Sequence, residues 1–286
     1  MPALMSALAN RATVSRLIKA VFMPIMVPVI VITVWQLVCL AGWVSPLKLP
    51  SPWAVALRWG QYLAPTEPYA LQTRSWLVWL FSGELIGDAL GSLYRVLVGF
   101  LIGGGLALPL GLLMGAKQGV YDKMYVLIQI LRPIPPSAYT PLAMLWFGLG
   151  NPPAVFMIAI AAFFPVLINT IVGVRQVDSI YLRAARNLGA GQRTLFLRVI
   201  LPAATPYILA GVRIAIGAAF MIVIVSELIA VPDGLGFRIH EAREYSWTDK
   251  VMAGMFTIGL IGLALDIGMN KLNNHLLRWH RGLEAT

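Results

Sequence analysis

Long apolar runs separated by short clusters of basic residues constrain this 286-residue chain more than any other feature. A helix needs roughly 20 mostly apolar residues to cross the hydrocarbon core of a bilayer, and several runs are long enough. Apolar residues make up 59% of the chain and charged residues 12%, whereas soluble domains carry about 25% charged residues. A membrane β-barrel would need shorter segments of alternating hydrophobicity. The sequence therefore predicts an all-α polytopic membrane protein.

Six transmembrane helices fit the apolar pattern. The predicted spans are residues 21–40, 88–114, 121–149, 153–174, 206–231 and 251–270. Prolines interrupt the third span at residues 132–136. The predicted domains are an N-terminal tail (1–20), a first span with a periplasmic interfacial segment (21–87), a core of spans (88–271) that includes a loop at 175–202, and a C-terminal tail (272–286).

The distribution of basic residues gives the predicted orientation. Lys and Arg outnumber Asp and Glu in both tails and in the connections after the second and fourth spans. The other connections carry mixed charge or none. Because an excess of Lys and Arg marks the cytoplasmic side, both termini are predicted to be cytoplasmic. The first apolar run lacks a clear small-residue cleavage site, so it is predicted to be a retained helix.

Several functions find no support in the sequence. The net charge of +10 does not indicate nucleic-acid binding, because the basic residues lie in short clusters between apolar runs. Cys39 is the single cysteine, and the three histidines form no metal-ligand spacing, so we predict no metal site. The chain contains no Gly-x-x-x-x-Gly-Lys-Ser/Thr motif for phosphate binding. Any ATP that drives this protein therefore has to bind another chain.

Closely spaced glycines mark the second predicted span. Gly99-x-x-x-Gly103 and Gly111-x-x-x-Gly115 allow two helix backbones to approach closely. We predict that these glycines pack helices of this chain against each other. A contact between two copies of the chain is the alternative.

The most basic connection, residues 175–202, contains an ordered pattern of small residues. Residues 179–188 are predicted to form a short helix that Gly189 ends, because glycine commonly follows a helix C-terminus. A second short helix is predicted to stop before Pro202. Ala184 and Ala185 would let a partner surface approach closely, and the flanking arginines would favour an acidic partner. A solvated loop that only fixes topology is the alternative.

This connection resembles the signature loop of permeases in binding-protein-dependent ABC importers. The family pattern is Glu-Ala-Ala, three residues, Gly, nine residues, Ile, any residue, Leu-Pro. Five residues match it at the right spacing: Ala184, Ala185, Gly189, Leu201 and Pro202. Val199 replaces the isoleucine, and Arg183 stands where the glutamate usually is. The resemblance implies that the loop inserts into a cleft on an ATPase subunit through Tyr181, Arg183, Ala184, Ala185, Leu188, Gly189, Leu201 and Pro202.

Further stretches resemble one branch of that family, which contains the nitrate, taurine and alkanesulfonate permeases. They are Leu-Pro-Ser-Pro at 49–52, the segments 92–100, 132–136 and 145–150, Glu-Leu-Ile at 227–229 and Gly-Leu-Gly at 234–236. The resemblance runs from about residue 49 to about residue 277. It implies a type I ABC importer (MetI-like) permease fold with six transmembrane helices.

The resemblance also implies partners and a function. Two ATPase subunits per complex would bind ATP and Mg, and a periplasmic or lipid-anchored substrate-binding protein would deliver the solute. Two permeases would form a homodimer among the lipids of the inner (plasma) membrane. The chain itself would hold no cofactor and catalyse no reaction. The implied solute is a small anion such as a sulfonate, taurine or nitrate, with bicarbonate, aromatic carboxylates and thiamine precursors as alternatives.

Five charged residues lie in or beside the apolar runs: Arg95, Arg132, Arg213, Glu227 and Asp266. Each costs about 2.5–3.5 kcal/mol at a helix centre, so each is expected to be paired or to face water. Arg132 begins the proline-broken segment, and broken helices in membranes often mark substrate paths. The candidate path residues are Arg132, Pro133, Pro135 and Glu227. Arg132 and Glu227 would act as a pair or as gating charges, with a purely structural ion pair as the alternative.

Two other classes of function remain open from the sequence. A secondary transporter working alone would need coupling carboxylates in its spans, and Glu227 and Asp266 are the deep candidates. A membrane scaffold without a transport role is the second. Neither class of function accounts for the signature pattern at residues 183–202.

Overall fold

The computed structural model describes residues 25–65, 76, 79 and 81–277. Within these residues the backbone consists of helices and turns, with one isolated bridge between Pro65 and Gly83. They form two compact units, residues 25–61 with 242–253 and residues 62–241 with 254–277. The all-α prediction is confirmed. The predicted N-terminal tail and most of the C-terminal tail lie outside the described residues.

The smaller unit contains α1 (Ile25–Leu40) and most of α2 (Pro52–Leu63). The indole Nε1 of Trp35 on α1 donates a hydrogen bond to the carbonyl oxygen of Pro50 at 3.0 Å, which fixes the turn between the two helices. Arg58 on α2 forms an ion pair with Asp249 at 2.8 Å.

The larger unit contains most of the remaining helices. In chain order these are α3 (Glu84–Ala116), α4 (Gln118–Leu131), α5 (Thr140–Phe147), α6 (Asn151–Arg175), α7 (Ser179–Asn187), α8 (Gln192–Ile229), α9 (Leu235–Glu244) and α10 (Thr248–Leu276), of which α9 ends and α10 begins in the smaller unit. Its main apolar core brings together side chains of α3, α4, α6 and α8.

Four helices of the described chain are long and apolar enough to cross a membrane: α3, α6, α8 and α10. They correspond to the second, fourth, fifth and sixth predicted spans. The predicted count of six is not confirmed. The described part of the first span, α1, is shorter than the others, and the third span is divided between α4 and α5.

The division of the third span follows from its prolines. α4 ends at Leu131, and a 3-10 turn (Pro136–Tyr139) precedes α5. Proline lacks a backbone N–H, and its ring clashes with the carbonyl group four residues earlier, so Pro133 and Pro135 stop the helix. The predicted interruption at residues 132–136 is confirmed.

Glycines allow α3 to pack directly against α6. A Cβ atom on Gly103 would lie 2.1 Å from the carbonyl oxygen of Ala159, and one on Gly99 would lie 2.5 Å from the Ile158 side chain. The second glycine pair of α3 meets α6 in the same way, since a Cβ on Gly111 would lie 2.7 Å from Thr170. The predicted intramolecular packing is therefore confirmed.

The N-terminal part of α8 differs from the prediction. We expected a short helix that stops before Pro202 and a span that starts at Pro206, but one helix runs from Gln192 to Ile229 through both prolines. Residues Phe196–Ile200 form a turn of π-helix just before Pro202. This wider turn contains Arg198, whose carbonyl group an unbroken α-helix would press against the Pro202 ring. The helix therefore passes the proline instead of ending there.

The contact between α3 and α6 predicts a difference between two neighbouring glycines. Gly103→Ala should destabilise the protein by about 1–3 kcal/mol, because the added methyl group overlaps the α6 backbone. Gly105→Ala is the matched control, since nothing lies within 4 Å of its Cβ position. Thermal unfolding of both variants in detergent measures the effect. Equal melting temperatures would contradict the packing described here.

Candidate functional site

Arg95 on α3 is buried among the ends of several segments, with 2% of its side chain exposed. Its Nη1 lies 2.6 Å from Oε1 of Glu227 on α8, and its Nε donates to Oδ1 of Asn151 on α6 at 2.6 Å. Its Nη2 donates to the carboxylate of Asp233 in the loop after α8. The planar guanidinium thus joins three other segments, because its fixed fork of donors points in several directions.

Glu227 is fully buried, and both of its carboxylate oxygens have donors. While Oε1 contacts Arg95, Oε2 accepts from the Ser92 hydroxyl and from the backbone N–H of Gly236, both at 2.9 Å. Gly234 has a φ of +103°, and a Cβ there would lie 2.5 Å from the Glu227 carboxylate. The Gly-Leu-Gly stretch therefore carries glycine because the backbone wraps closely around this carboxylate.

Asp88 on α3 extends the same network. Its Oδ1 accepts from the N–H of Gly234 at 3.1 Å, and its Oδ2 accepts from Arg238 at 2.9 Å and from the Tyr62 hydroxyl at 2.7 Å. Arg238 also forms ion pairs with Glu84 and Glu241. Burial and the hydrogen bond to Asp88 raise the pKa of the Tyr62 phenol far above its usual range, so Tyr62 stays protonated and donates.

We call this set the clamp network: Tyr62, Glu84, Asp88, Ser92, Arg95, Asn151, Glu227, Asp233, Arg238 and Glu241. It holds one end of α3, α6 and α8 together with the loop that leads into α9. The backbone N–H of Gly150 donates to the carbonyl of Ala230 at 2.7 Å and adds the turn between α5 and α6. A buried ion pair persists only when hydrogen bonds satisfy its other donors and acceptors, and both Arg95 and Glu227 have them.

The proposed pair of Arg132 and Glu227 does not form. Glu227 is paired with Arg95, and its side chain is fully buried. Arg132 is exposed, and it makes no ion pair with any residue in the described part of the chain. An ion pair that joins two spans is indeed present, but it is built from a different arginine. The place of Arg132, Pro133 and Pro135 on a translocation path stays a prediction.

The helix predicted in the signature loop (residues 175–202) is present as α7. The side chain of Asp178 caps its start by accepting from the N–H of Ile180 at 2.8 Å. Gly189 follows its end with a φ of +81°. The N–H of Gly189 bonds the carbonyl of Arg186, and the N–H of Ala190 bonds that of Ala185. These two bonds form a Schellman motif, so the structure confirms that Gly189 terminates the helix.

One face of α7 carries exposed apolar side chains. Ile180 is 60% exposed, Tyr181 63% and Leu188, just after the helix, 88%. Ala184 lies between them on the same face, since residues four apart are neighbours on a helix. The Arg183 and Arg186 side chains are exposed beside this face and form no ion pair with a described residue. We call Ile180, Tyr181, Ala184 and Leu188 the apolar face of α7.

Sequence reasoning missed most of the clamp network. It noted Arg95 and Glu227 as costly charges and the Gly-Leu-Gly stretch as a family feature, without connecting them. The available signal was spacing, since Asp88, Ser92 and Arg95 recur along one face of α3.

The carboxylates in the spans are not free. Glu227 is held by Arg95, and Asp266 is held by Arg213 at 2.7 Å. A carboxylate that couples proton movement to transport has to exchange partners, which the clamp network around Glu227 opposes. Among the described residues, no group of three or more His, Cys, Asp or Glu side chains has a metal-binding arrangement.

Long apolar helices that are joined by ion pairs around the buried Arg95 and Glu227 define a multi-span membrane protein. The chain belongs to the family described as the binding-protein-dependent transport system inner membrane component, whose model matches residues 107–281. It is therefore a permease of the ABC importer class, and the relatives below place it in the nitrate, taurine and sulfonate branch.

Three curated relatives support the assignment to this branch. The chain is 35% identical to a putative aliphatic sulfonates transport permease of Bacillus subtilis, over 91% of this chain and 88% of the relative. It is 33% identical to the taurine transport system permease of Escherichia coli, over 88% and 87%. It is also 33% identical to the nitrate import permease of Synechocystis, over 86% of each.

A solved structure supports the fold. A chain of the MetNI methionine ABC transporter in an inward-facing conformation superposes with a TM-score of 0.60 at 15% identity, covering 67% of this chain and 95% of that one. At this identity the similarity shows the fold alone. The predicted MetI-like permease fold is confirmed.

The clamp network predicts unequal effects of single and double substitutions. Arg95→Met or Glu227→Met alone should destabilise the protein by about 3–5 kcal/mol. The first leaves the buried Glu227 carboxylate without a counter-ion, and the second removes the buried one of the two carboxylates that pair with Arg95. The double variant should lose less than the sum of the two. Unfolding in detergent measures the cycle, with substitution of the exposed Lys123 on α4 by Met as the control. Strictly additive losses would contradict the ion pair.

Proposed function

We propose that this permease imports a small anion and is driven by ATP hydrolysis on a separate ATPase subunit. The observation that supports this most directly is the apolar face of α7. Exposed apolar groups clustered on one helix face mark an interaction surface. Here they coincide with the loop that resembles the ATPase-contacting element of the family.

The proposed coupling runs from α7 into the membrane. An ATPase binds the apolar face of α7, and arginines beside it favour an acidic rim on the partner. Arg183 replaces the usual glutamate, so docking rests on the shape of Ala184 and Ala185 and on the apolar side chains. ATP and Mg belong to that partner. Closure of two ATPases shifts the conformational equilibrium of the permease from the inward-open to the outward-open state.

The proposed assembly follows the sequence predictions. Both termini and the signature loop are cytoplasmic, and two copies of the permease form a homodimer in the lipid of the inner membrane. A periplasmic or lipid-anchored binding protein delivers the solute to the opposite side, where the clamp network then lies. Arg132, Pro133 and Pro135 lie along the translocation path.

The proposed solute is a compact anion. The relatives are named for aliphatic sulfonates, taurine and nitrate, which all carry an anionic oxygen group. Bicarbonate, aromatic carboxylates and thiamine precursors are the competing solutes. A secondary transporter is disfavoured because both deep carboxylates are ion-paired.

The test is purification of the tagged permease together with the products of neighbouring genes, followed by reconstitution in lipid. The expected result is a bound P-loop ATPase whose hydrolysis rises when a binding protein loaded with taurine, an alkanesulfonate or nitrate is added. Uptake that continues without any ATPase subunit would refute the proposal.

The Schellman motif predicts a specific uncoupling variant. Gly189→Val should lower solute uptake about tenfold or more, because a β-branched residue strongly disfavours the left-handed conformation and the end of α7 has to move. Membrane insertion should be unchanged, because α7 is not a span. Gly191→Val is the matched control, since Gly191 has a φ of -70° and open space around it. Equal uptake by the two variants would contradict the coupling role.

A further inference from the structure

Arg213 on α8 and Asp266 on α10 form a second ion pair within the spans. The Nε and Nη2 of Arg213 donate to Oδ1 of Asp266 at 2.9 and 2.7 Å. The other oxygen of Asp266 lies 3.4 Å from the Asn270 side-chain nitrogen. Unlike the buried Arg95, these side chains are 42% and 48% exposed.

Half-exposed charges of this kind do not fit a lipid-facing surface. Both residues lie within helices that are long and apolar enough to span the membrane. A charged side chain that faces hydrocarbon is costly, and such residues almost always face the interior of a bundle or a water-filled cavity. In the clamp network, Arg95 and Glu227 avoid this cost because they are buried in protein, whereas the Arg213 and Asp266 side chains remain partly exposed. Contact with water is the alternative to burial.

The surroundings of the pair leave room for water or a small ion. A cavity of about 70 Å³ is lined by the pair together with Gly217, Phe220 and Gly262. One water molecule occupies about 30 Å³ in the liquid, so the cavity has space for about two. Nothing lies within 4 Å of the Cβ position of Gly217, one turn along α8 from Arg213.

The guanidinium also has unused donors. Arginine carries five N–H groups, and two Arg213 nitrogens bond Asp266. Within the described ranges, Arg213 has no other hydrogen-bond acceptor. An incoming oxyanion can therefore bind to the remaining N–H groups without first breaking the ion pair.

We propose that the face of α8 and α10 around Arg213 lines the aqueous solute path, and that Arg213 contacts the anionic group of the solute in transit. This inference rests on the proposed import of an anion. Asp266 orients the guanidinium and partly neutralises it. Partial neutralisation suits a site on a path, because a solute has to bind well enough to enter and weakly enough to leave.

The first experiment tests whether this face is wet. The chain has a single cysteine, so Cys39→Ser gives a cysteine-free background. Gly217→Cys should react with an anionic, membrane-impermeant thiosulfonate applied to both sides of the membrane, and taurine or ethanesulfonate should slow the reaction. Leu101→Cys, on an exposed apolar position of α3, is the control. If the cysteine at position 217 is labelled as slowly as the one at position 101, the proposal is overturned. Labelling of position 217 that neither taurine nor ethanesulfonate slows would also overturn it.

The second experiment separates a solute contact from a structural ion pair. In the reconstituted importer, Arg213→Gln should raise the KM for the anion about tenfold or more, whereas Asp266→Asn should lower it because the cation is no longer neutralised. The double neutral variant should keep the high KM. A double variant or a charge-swapped variant with wild-type KM would show a structural pair and overturn the proposal. Lys123→Gln on α4 is the charge-neutralising control.

The two experiments also distinguish this inference from the proposed function. Cysteine labelling needs neither an ATPase nor uptake. If the wild-type chain binds no ATPase and imports no anion, the proposed function fails, and the role of Arg213 in import fails with it. If import works but position 217 is as unreactive as position 101, only the inference about Arg213 fails.

Discussion

An unpaired charge in the interior of a membrane is costly in free energy. In the larger unit, the contacts that pair Arg95 determine how the helix ends are arranged. The guanidinium has partners on α6, α8 and the following loop, so those segments are held at one end by its hydrogen bonds. The opposing carboxylate of Glu227 requires glycine in the backbone around it. One buried cation thus fixes both the arrangement of helix ends and the composition of a loop.

Helix α8 connects this clamp to the signature loop. It contains 38 residues, which at 1.5 Å per residue extends about 57 Å. Its first turns adjoin α7, its last turn carries Glu227, and no break separates them. One continuous helix therefore links α7 to the clamp network, with the π-helical turn at Phe196–Ile200 and the prolines at 202 and 206 as its described irregularities in hydrogen bonding.

The sequence predicted what depends on local chemistry. Four of the spans, the glycine contacts of α3, the proline break and the end of α7 at Gly189 follow from apolar length and from the conformational limits of glycine and proline. The choice of ion-pair partners between distant residues did not follow from the sequence: one of the two roles considered for Glu227 was a pair with Arg132, whereas its partner is Arg95. Pro202 and Pro206 were read as helix boundaries because local rules say so, yet packing and a π-helical turn carry α8 through both. Tertiary contacts decide such cases.

The distance along the chain between the two charges of the clamp has a consequence for biogenesis. Arg95 and Glu227 are 132 residues apart. At a synthesis rate of about 5–20 residues per second, α3 leaves the ribosome roughly 7–26 s before its counter-ion does. During that interval Arg95 lacks Glu227 as a counter-ion, so its side chain, which lies toward one end of α3, needs water or lipid headgroups as partners until α8 arrives. The order of the helices along the chain thus delays the neutralisation of Arg95.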